Sequence, residues 1–317
     1  MLEKNSVQTK PRKLQTQKTS SLPPIDVIVI THDHLDLTIP CIELLYENTK
    51  APFHLIVIDD SQDVTPEYFA KLKKSGKDIT FYHQDEPFKC GNQIFNIGLG
   101  LCKYEYVATV MNSVRVEPDW EIVALQIMAM DSKIGIIGFK SIFPHNGLIE
   151  SAGIDFDGHK PIDIGRGMPA HRFTQVSEPP SLQWAFALLR KEAVVGNLDE
   201  NVYHGFVGWD DIDNTMVLKK KGWKAIYCGM GAGYHLTHAT RGSDNPSVLQ
   251  KNKENAEIFY KRWGLWDLYV QSNPLEMIRR DIAELKAMVL AIKNDNGKGK
   301  LPEDIKLLEE VNANKVI

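Results

Sequence analysis

Ile25–Thr31 reads Ile-Asp-Val-Ile-Val-Ile-Thr, and stretches of this kind constrain the fold more than any other feature of the chain. Such a β-branched run, without apolar/polar alternation, suits a strand covered on both faces. Similar short runs recur at His54–Asp59, Ile79–His83, Tyr106–Met111 and Ile134–Phe139. Between them, helical patterns fall over residues 36–49, 66–74, 92–103 and 118–130, the second closing at Ser75-Gly76. Strand–helix alternation at this spacing predicts βαβ units and a mostly parallel sheet with helices on both faces. Ligands of such sheets bind beyond the carboxyl ends of the strands. The polar residues just after each strand are therefore the first candidates for a site.

The flanks read differently. Residues 1–24 are polar, rich in Lys, Gln, Ser and Thr, and predict a disordered tail with too little apolar surface to order itself. Residues 140–185 are richer in Gly and Pro and less regular. A helix is expected over 210–221, then a strand at Trp223–Cys228, a short separate strand near 233–236, and a loop over 241–250. Asn273-Pro274 followed by Glu276 is a helix start. Beyond it, Leu275, Ile278, Ile282, Leu285, Val289 and Ile292 recur at steps of three and four, the spacing of a coiled-coil seam. After a break at 294–300, Ile305, Leu308 and Val311 suit one face of a further short helix. The expected organisation is a tail (1–24), one α/β domain (25–265) and a helical extension (272–317) that serves self-association through 275–292.

Charge and cysteine usage narrow the class. Lys and Arg total 37 against 41 Asp and Glu, a formal net charge of −4, which argues against a nucleic-acid coat. No apolar run approaches the ~20 residues of a membrane span. The basic N-terminal residues lack the apolar core of a secretory signal. The four cysteines, Cys41, Cys90, Cys102 and Cys228, form no C-x-x-C pair and read as reduced thiols of a cytoplasmic protein.

Four polar clusters sit where the sheet argument places a site. Thr31-His32-Asp33-His34 follows the first strand and Asp59-Asp60-Ser61 the second. Carboxylates there can accept hydrogen bonds from a nucleobase or ribose, although Asp60-Ser61 also suits a plain turn or helix cap. Gly91-Asn92, with Asn96, opens a helix whose N-terminus favours phosphate. Asp210-Asp211-Ile212-Asp213 puts three carboxylates in four residues, which repel unless something uses or compensates them. The helix dipole supplies part of that compensation. His235, His238 and Arg241 lie farther on, without a diagnostic metal-ligand spacing.

In order, IDVIVITHDH, HLIVIDDSQD, GNQIFNIGLGL, VATVMNSVRVEPDW, GWDDIDNTMVLKKKGW and GYHLTH resemble the family-two glycosyltransferases of the GT-A fold, over roughly residues 25–240. The resemblance implies a Rossmann-like mixed sheet, a nucleotide-diphosphosugar donor (a UDP-sugar as first guess) and inversion at the anomeric carbon. It implies that Thr31, His32, Asp33, Asp59 and Asp60 line the nucleoside pocket and that Gly91, Asn92 and Asn96 face the donor. It implies Asp211 as general base with Asp210 beside it, and Trp184 and Trp209 on the acceptor side, where a glycan, glycolipid or protein hydroxyl would enter. Flat apolar rings suit sugars, and they equally suit a core.

Two positions depart from the family pattern. The metal-binding Asp-x-Asp should follow the Val107–Met111 strand, where the chain reads Met111-Asn112-Ser113. Neutral oxygens hold Mg2+ or Mn2+ far less well than carboxylates. Either Asn112, Ser113 and His235 hold a weak cation with phosphate oxygens, or cationic side chains replace it, with Arg115, Arg166, His171, Arg172, His235 and Arg241 as candidates. Val217 stands where the family often has Arg, which removes the usual ion pair behind the acidic motif. The competing reading is a non-catalytic nucleotide- or glycan-binding relative that assembles through its C-terminal helices. Nucleotidyl transfer lacks its Gly-rich phosphate loop after the first strand.

Overall fold

A computed structural model describes residues 22–237 and 245–295. The expected tail and the last part of the extension, including Ile305, Leu308 and Val311, lie outside the described residues, as do His238 and Arg241. In chain order the strands are β1 (Ile25–Thr31), β2 (Phe53–Asp59), β3 (Ile79–His83), β4 (Tyr106–Met111), β5 (Val114–Val116), β6 (Ile134–Ile142), β7 (Ile149–Ser151), β8 (Ile154–Asp157), β9 (Lys160–Asp163), β10 (Val176–Ser177), β11 (Phe186–Arg190) and β12 (Lys224–His235). The helices are α1 (Leu35–Asn48), α2 (Thr65–Lys74), α3 (Gly91–Leu101), α4 (Ile122–Met130), α5 (Lys191–Val194), α6 (Asp210–Lys220), α7 (Pro246–Arg262), α8 (Trp266–Ser272) and α9 (Pro274–Asp295).

The main sheet runs β10-β12-β6-β11-β4-β1-β2-β3, with β5 on β12 and β7 on β6. Strands β1, β2, β3 and β4 are mutually parallel, β12 is parallel to β6, and β11 runs against both β4 and β6. The carboxyl ends of β1–β4, β6 and β12 therefore share one rim, where β11 begins. A side hairpin, β8–β9, stands apart from this sheet.

The β-branched runs are buried on both faces, and alternate residues feed two cores. Ile25, Val27 and Val29 pack with Cys41, Leu45, Phe69 and Leu125, so α1, α2 and α4 cover that face. Ile28 and Ile30 pack with Ile94, Phe95, Leu99, Val194 and Leu218, so α3, α5 and α6 cover the other. A third cluster, Tyr203, Ala256, Phe259 and Tyr260, fastens α7 to the body. All four cysteines are buried and free.

Three sequence expectations need correcting. The helix expected from 118 starts only at Ile122, because Asp119 adopts φ 62° and its N–H donates to the Asn48 carbonyl. The two expected strands near 223–236 are one strand, β12, interrupted by a bulge between Cys228 and Ala232. Gly229 belongs there: a Cβ would lie 2.2 Å from the Phe173 carbonyl oxygen. The loop expected over 241–250 gives way to α7, which starts at Pro246, with the Asn245 side chain accepting from the Ser247 N–H at 3.0 Å. That is an ordinary Asn cap with proline in the first turn.

Candidate active site

The first cluster divides into supports and surface groups. Asp59 is fully buried. Its Oδ1 accepts from Thr31 Oγ1 at 2.6 Å and Ser61 Oγ at 2.5 Å, and its Oδ2 pairs with His83 Nδ1 at 2.6 Å. Asp33 Oδ1 accepts from the Gln62 and Asp63 N–H groups at 2.6 and 3.2 Å, and Asp33 and His34 both take left-handed backbone angles. Thr31 Oγ1, Asp33 Oδ1 and both Asp59 oxygens, all on residues expected at the nucleoside, are thus engaged in holding β1, β2 and the following turn together. What faces outward is His32, its side chain 54% exposed, with Nδ1 2.8 Å from Asp60 Oδ1. The hydrogen bond to Asp60 raises the His32 pKa despite its partial burial. Asp60 Oδ2 accepts from the Phe88 N–H at 3.1 Å.

Three residues on from Phe88, α3 begins. The Asn92 amide donates to the Asp199 carbonyl at 2.9 Å and accepts from Asn214 at 2.7 Å. Asn96 donates to the Leu198 carbonyl at 3.0 Å and to Glu200 Oε1 at 2.8 Å. Both amides, expected to face the donor, instead bind the 198–200 turn and α6 to α3. Gly91 is different. A Cβ there would fall 2.0 Å from Asp210 Oδ2 and 3.0 Å from the Phe206 ring. Glycine is what lets the Asp210 carboxylate lie against the start of α3.

Asp210 and Asp211 open α6, so its unpaired N–H groups face two carboxylates. Asp210 is buried, while half-buried Asp211 lines a cavity of about 90 Å³ together with Phe95, Met111, Trp184, Phe206 and Asp210. Burial and the neighbouring Asp210 charge push the Asp211 carboxyl up to about 7, against the opposing backbone N–H groups of Ile212 and Trp184. Asp213 faces away: it accepts from Trp263 Nε1 at 2.7 Å and Arg262 Nε at 3.1 Å, tying α6 to α7. Trp184 is buried, its Nε1 donating to Thr215 Oγ1 at 2.9 Å, so it walls the cavity without offering a free face. Trp209, at φ 78°, does not line the cavity; its ring lies 5.2 Å from Phe259 and 5.3 Å from Tyr260. Its expected place beside an acceptor sugar gives way to a place in the α7 cluster.

At the Met111-Asn112-Ser113 turn, Asn112 Nδ2 donates to Thr38 Oγ1 at 3.1 Å, the Ser113 carbonyl accepts from the Leu236 N–H at 3.0 Å, and Val114 pairs with His235. Ser113 and His235 therefore come together as expected, while the Asn112 amide is buried and engaged. His235 Nδ1 lies 2.8 Å from Glu150 Oε2, and Thr237 donates to Glu150 Oε1 at 2.6 Å. Glu150 was not legible as a site residue; an acid inside the apolar Leu148–Ala152 stretch is its only sequence signal. Among the described residues no three His, Cys, Asp or Glu side chains converge to hold a metal. One imidazole with buried neutral oxygens does not fit a resident Mg2+ or Mn2+. Of the cationic candidates, Arg115 stays at this turn, donating to the Asn112 and Val114 carbonyls, whereas His171 and Arg172 are exposed on the irregular segment before β10.

The acidic clusters occupy one rim. Asp60 follows β2, Met111 ends β4 on the other side of β1, and the Phe88–Gly91 stretch touches Asp60 at one end and Asp210 at the other. Residues 26–139 match the family model described as Glycosyl transferase family 2. The match takes in the first four long strands and the turns that follow them. The chain's fold is that of solved glycosyltransferases of the GT-A type. GalNAc-T7, crystallised with UDP, GalNAc and Mn2+, aligns at TM-score 0.65 and 14% identity, over 80% of this chain and 51% of that one. The chain thus spans about half the length of that protein. The mannosyltransferase PcManGT from Pyrobaculum calidifontis, in complex with GDP-Man and Mn2+, aligns at TM-score 0.54 and 15% identity over 96% and 84%. TarS residues 1–349 from S. aureus align at TM-score 0.52 and 14% identity over 78% and 73%. No curated protein matches in sequence. Among the described residues no helix is long and apolar enough to cross a membrane.

Proposed function

We propose that this family-two glycosyltransferase domain moves a sugar from a nucleotide-diphosphosugar to an acceptor hydroxyl, with inversion and with Asp211 as general base. The observation that carries the reading is a half-buried carboxylate of raised pKa, Asp211, lining a cavity on the rim that also carries the His32–Asp60 pair. In the proposed reaction the nucleoside rests at His32 and Asp60. The acceptor oxygen attacks the anomeric carbon as Asp211 takes its proton, and the bond from that carbon to the diphosphate oxygen breaks on the opposite face. Asp210, lying against Gly91, stands beside Asp211, and the repulsion between the two carboxylates raises the basicity of Asp211. General-base assistance of this type contributes about 10²–10⁴-fold. Arg115, held at the Met111–Ser113 turn by the Asn112 and Val114 carbonyls, would offset the charge of the leaving diphosphate.

A UDP-sugar is the first donor to test, and the acceptor is a glycan, glycolipid or protein hydroxyl. We place the reaction in the cytoplasm. In α9, Leu275, Ile278, Ile282 and Leu285 are 70, 51, 38 and 45% exposed, which supports self-association along 275–292. The alternative, a non-catalytic binding relative, draws on the missing Asp-x-Asp.

A thermal-shift screen of UDP, GDP, dTDP and CDP, followed by donor turnover for wild type and Asp211→Asn, tests the proposal. A ligand bound only by the native state raises Tm. Stabilisation by one nucleotide, with turnover lost in Asp211→Asn, is expected. Nucleotide binding without turnover on any donor would favour the non-catalytic relative, and turnover untouched by Asp211→Asn would remove the base assignment.

A further inference from the structure

Past the catalytic cavity, at the ends of β6 and β12, lies a second and larger pocket of about 350 Å³, whose lining includes Phe143, His145, Arg166, His235 and Thr237. Three of these side chains carry ring or guanidinium nitrogens, and among the described residues none that lines the pocket is acidic. The carboxylates that hold the pocket in shape stand behind it. Glu150 grips His235 and Thr237, which commits His235 Nδ1 and leaves the ring's other nitrogen as its remaining polar atom. Asp163 Oδ2 accepts from Arg166 at 3.0 Å, and the Arg166 guanidinium lies 4.9 Å from the Phe143 ring centre. An arginine anchored at one nitrogen and stacked on an aromatic ring is preorganised for an oxyanion. His145, exposed on the outer edge, adds a third nitrogen group.

The position of the pocket says which reactant would use it. Along the rim the order is β2 with Asp60, β1, β4 with the Asp211 cavity, β11, then β6 and β12 with the pocket. A nucleoside at Asp60 thus lies on one side of the cavity and the pocket on the other. Two strand spacings separate β4 from β6, about 10 Å. A ligand that offers a hydroxyl to Asp211 and carries an acidic group one sugar's length away would reach both. We propose that this pocket is an oxyanion subsite for the acceptor, so that the acceptor is an acidic sugar or polyol bearing a phosphate or carboxylate. The inference rests on the glycosyl-transfer reading and adds the acceptor's charge class.

The test uses glucose 6-phosphate as probe, with glucose as its neutral counterpart, titrated into the full chain saturated with the nucleotide that stabilises it. Glucose 6-phosphate is expected to bind alongside the nucleotide and glucose is not. Arg166→Gln and, separately, the exposed His145→Gln should each weaken the probe, about tenfold for the arginine, as loss of a charged hydrogen-bond donor does, with nucleotide affinity unchanged. Competition between probe and nucleotide would assign the pocket to the donor diphosphate and overturn the proposal. Probe binding that is absent from wild type, or undiminished in both variants, would overturn it as well. Nucleotide affinity is scored by itself, so failure of the donor reading shows as no nucleotide shift, and failure of this inference as a nucleotide shift without the probe.

Discussion

Asp211 is where burial and chemistry meet most closely. Its carboxyl sits at about 7 because burial and Asp210 both disfavour the charge. The proposed base would work only when ionised, so kcat should rise with pH through about 7 and level off above it; a pH–rate profile checks this. Linkage gives a companion expectation for stability. The folded-state pKa lies above the unfolded value of about 3.9, so the folded state retains a proton that the unfolded chain releases. Stability attributable to this group is therefore greatest at low pH and is lost as pH rises towards 7. Asp211→Asn should then melt at higher temperature than wild type at pH 8, and the gap should narrow as pH falls to 5. Turnover by the same variant should fall about 10²–10⁴-fold. Gly91→Ala is expected to reduce turnover too, because its methyl group claims the place of Asp210 Oδ2. Such residue-scale roles were only partly legible in the sequence. Asp59 and Asp60 are adjacent and of one type, yet one is a buried hub and the other holds the exposed His32. What decides between them is Thr31, Ser61 and His83 converging on one carboxylate. No spacing rule exposes that convergence.

Among the elements, β1, β3 and β4 end where the β-branched runs end, since in a sheet covered on both faces the apolar run and the strand are the same object. The failures lie where a tertiary partner replaces a local rule. Asp119 leaves the helix because the Asn48 carbonyl claims its N–H, and β12 continues through a bulge because Phe173 and Trp120 press on its glycines. The start of α7 has a local signal: Asn245-Pro246 is a cap inside a polar stretch that otherwise reads as loop. This helix matters to the site. Trp209, next in sequence to the acidic pair, rests on Phe259 and Tyr260 of α7. Phe259 is fully buried, so Phe259→Ala should destabilise the fold by about 3–5 kcal/mol. Chemical denaturation measures that loss. Phe259→Leu, which keeps most of the volume, should retain both stability and turnover.

The whole molecule poses the question of charge at the leaving group. The turn after β4 offers a buried amide and a hydroxyl, neutral groups that hold a divalent cation far less well than carboxylates do. Turnover should therefore survive EDTA with little change, and Ser113→Asp should raise Mn2+ affinity, read by calorimetry with the nucleotide present. Loss of all activity with EDTA in the unmodified protein would show a working metal site. Light scattering of the full chain against one ending at residue 272 checks self-association through α9. The stretch from Phe88 to Gly91 has a consequence for the order of events. It receives Asp60 at its first backbone N–H and makes room for Asp210 at its last Cα. Anything that pulls on the nucleoside side must shift the acidic side in the same movement. Initial-rate kinetics should accordingly be compulsory-order, the donor entering first and the nucleotide leaving last, with the second reactant gaining affinity only after the first has settled that stretch.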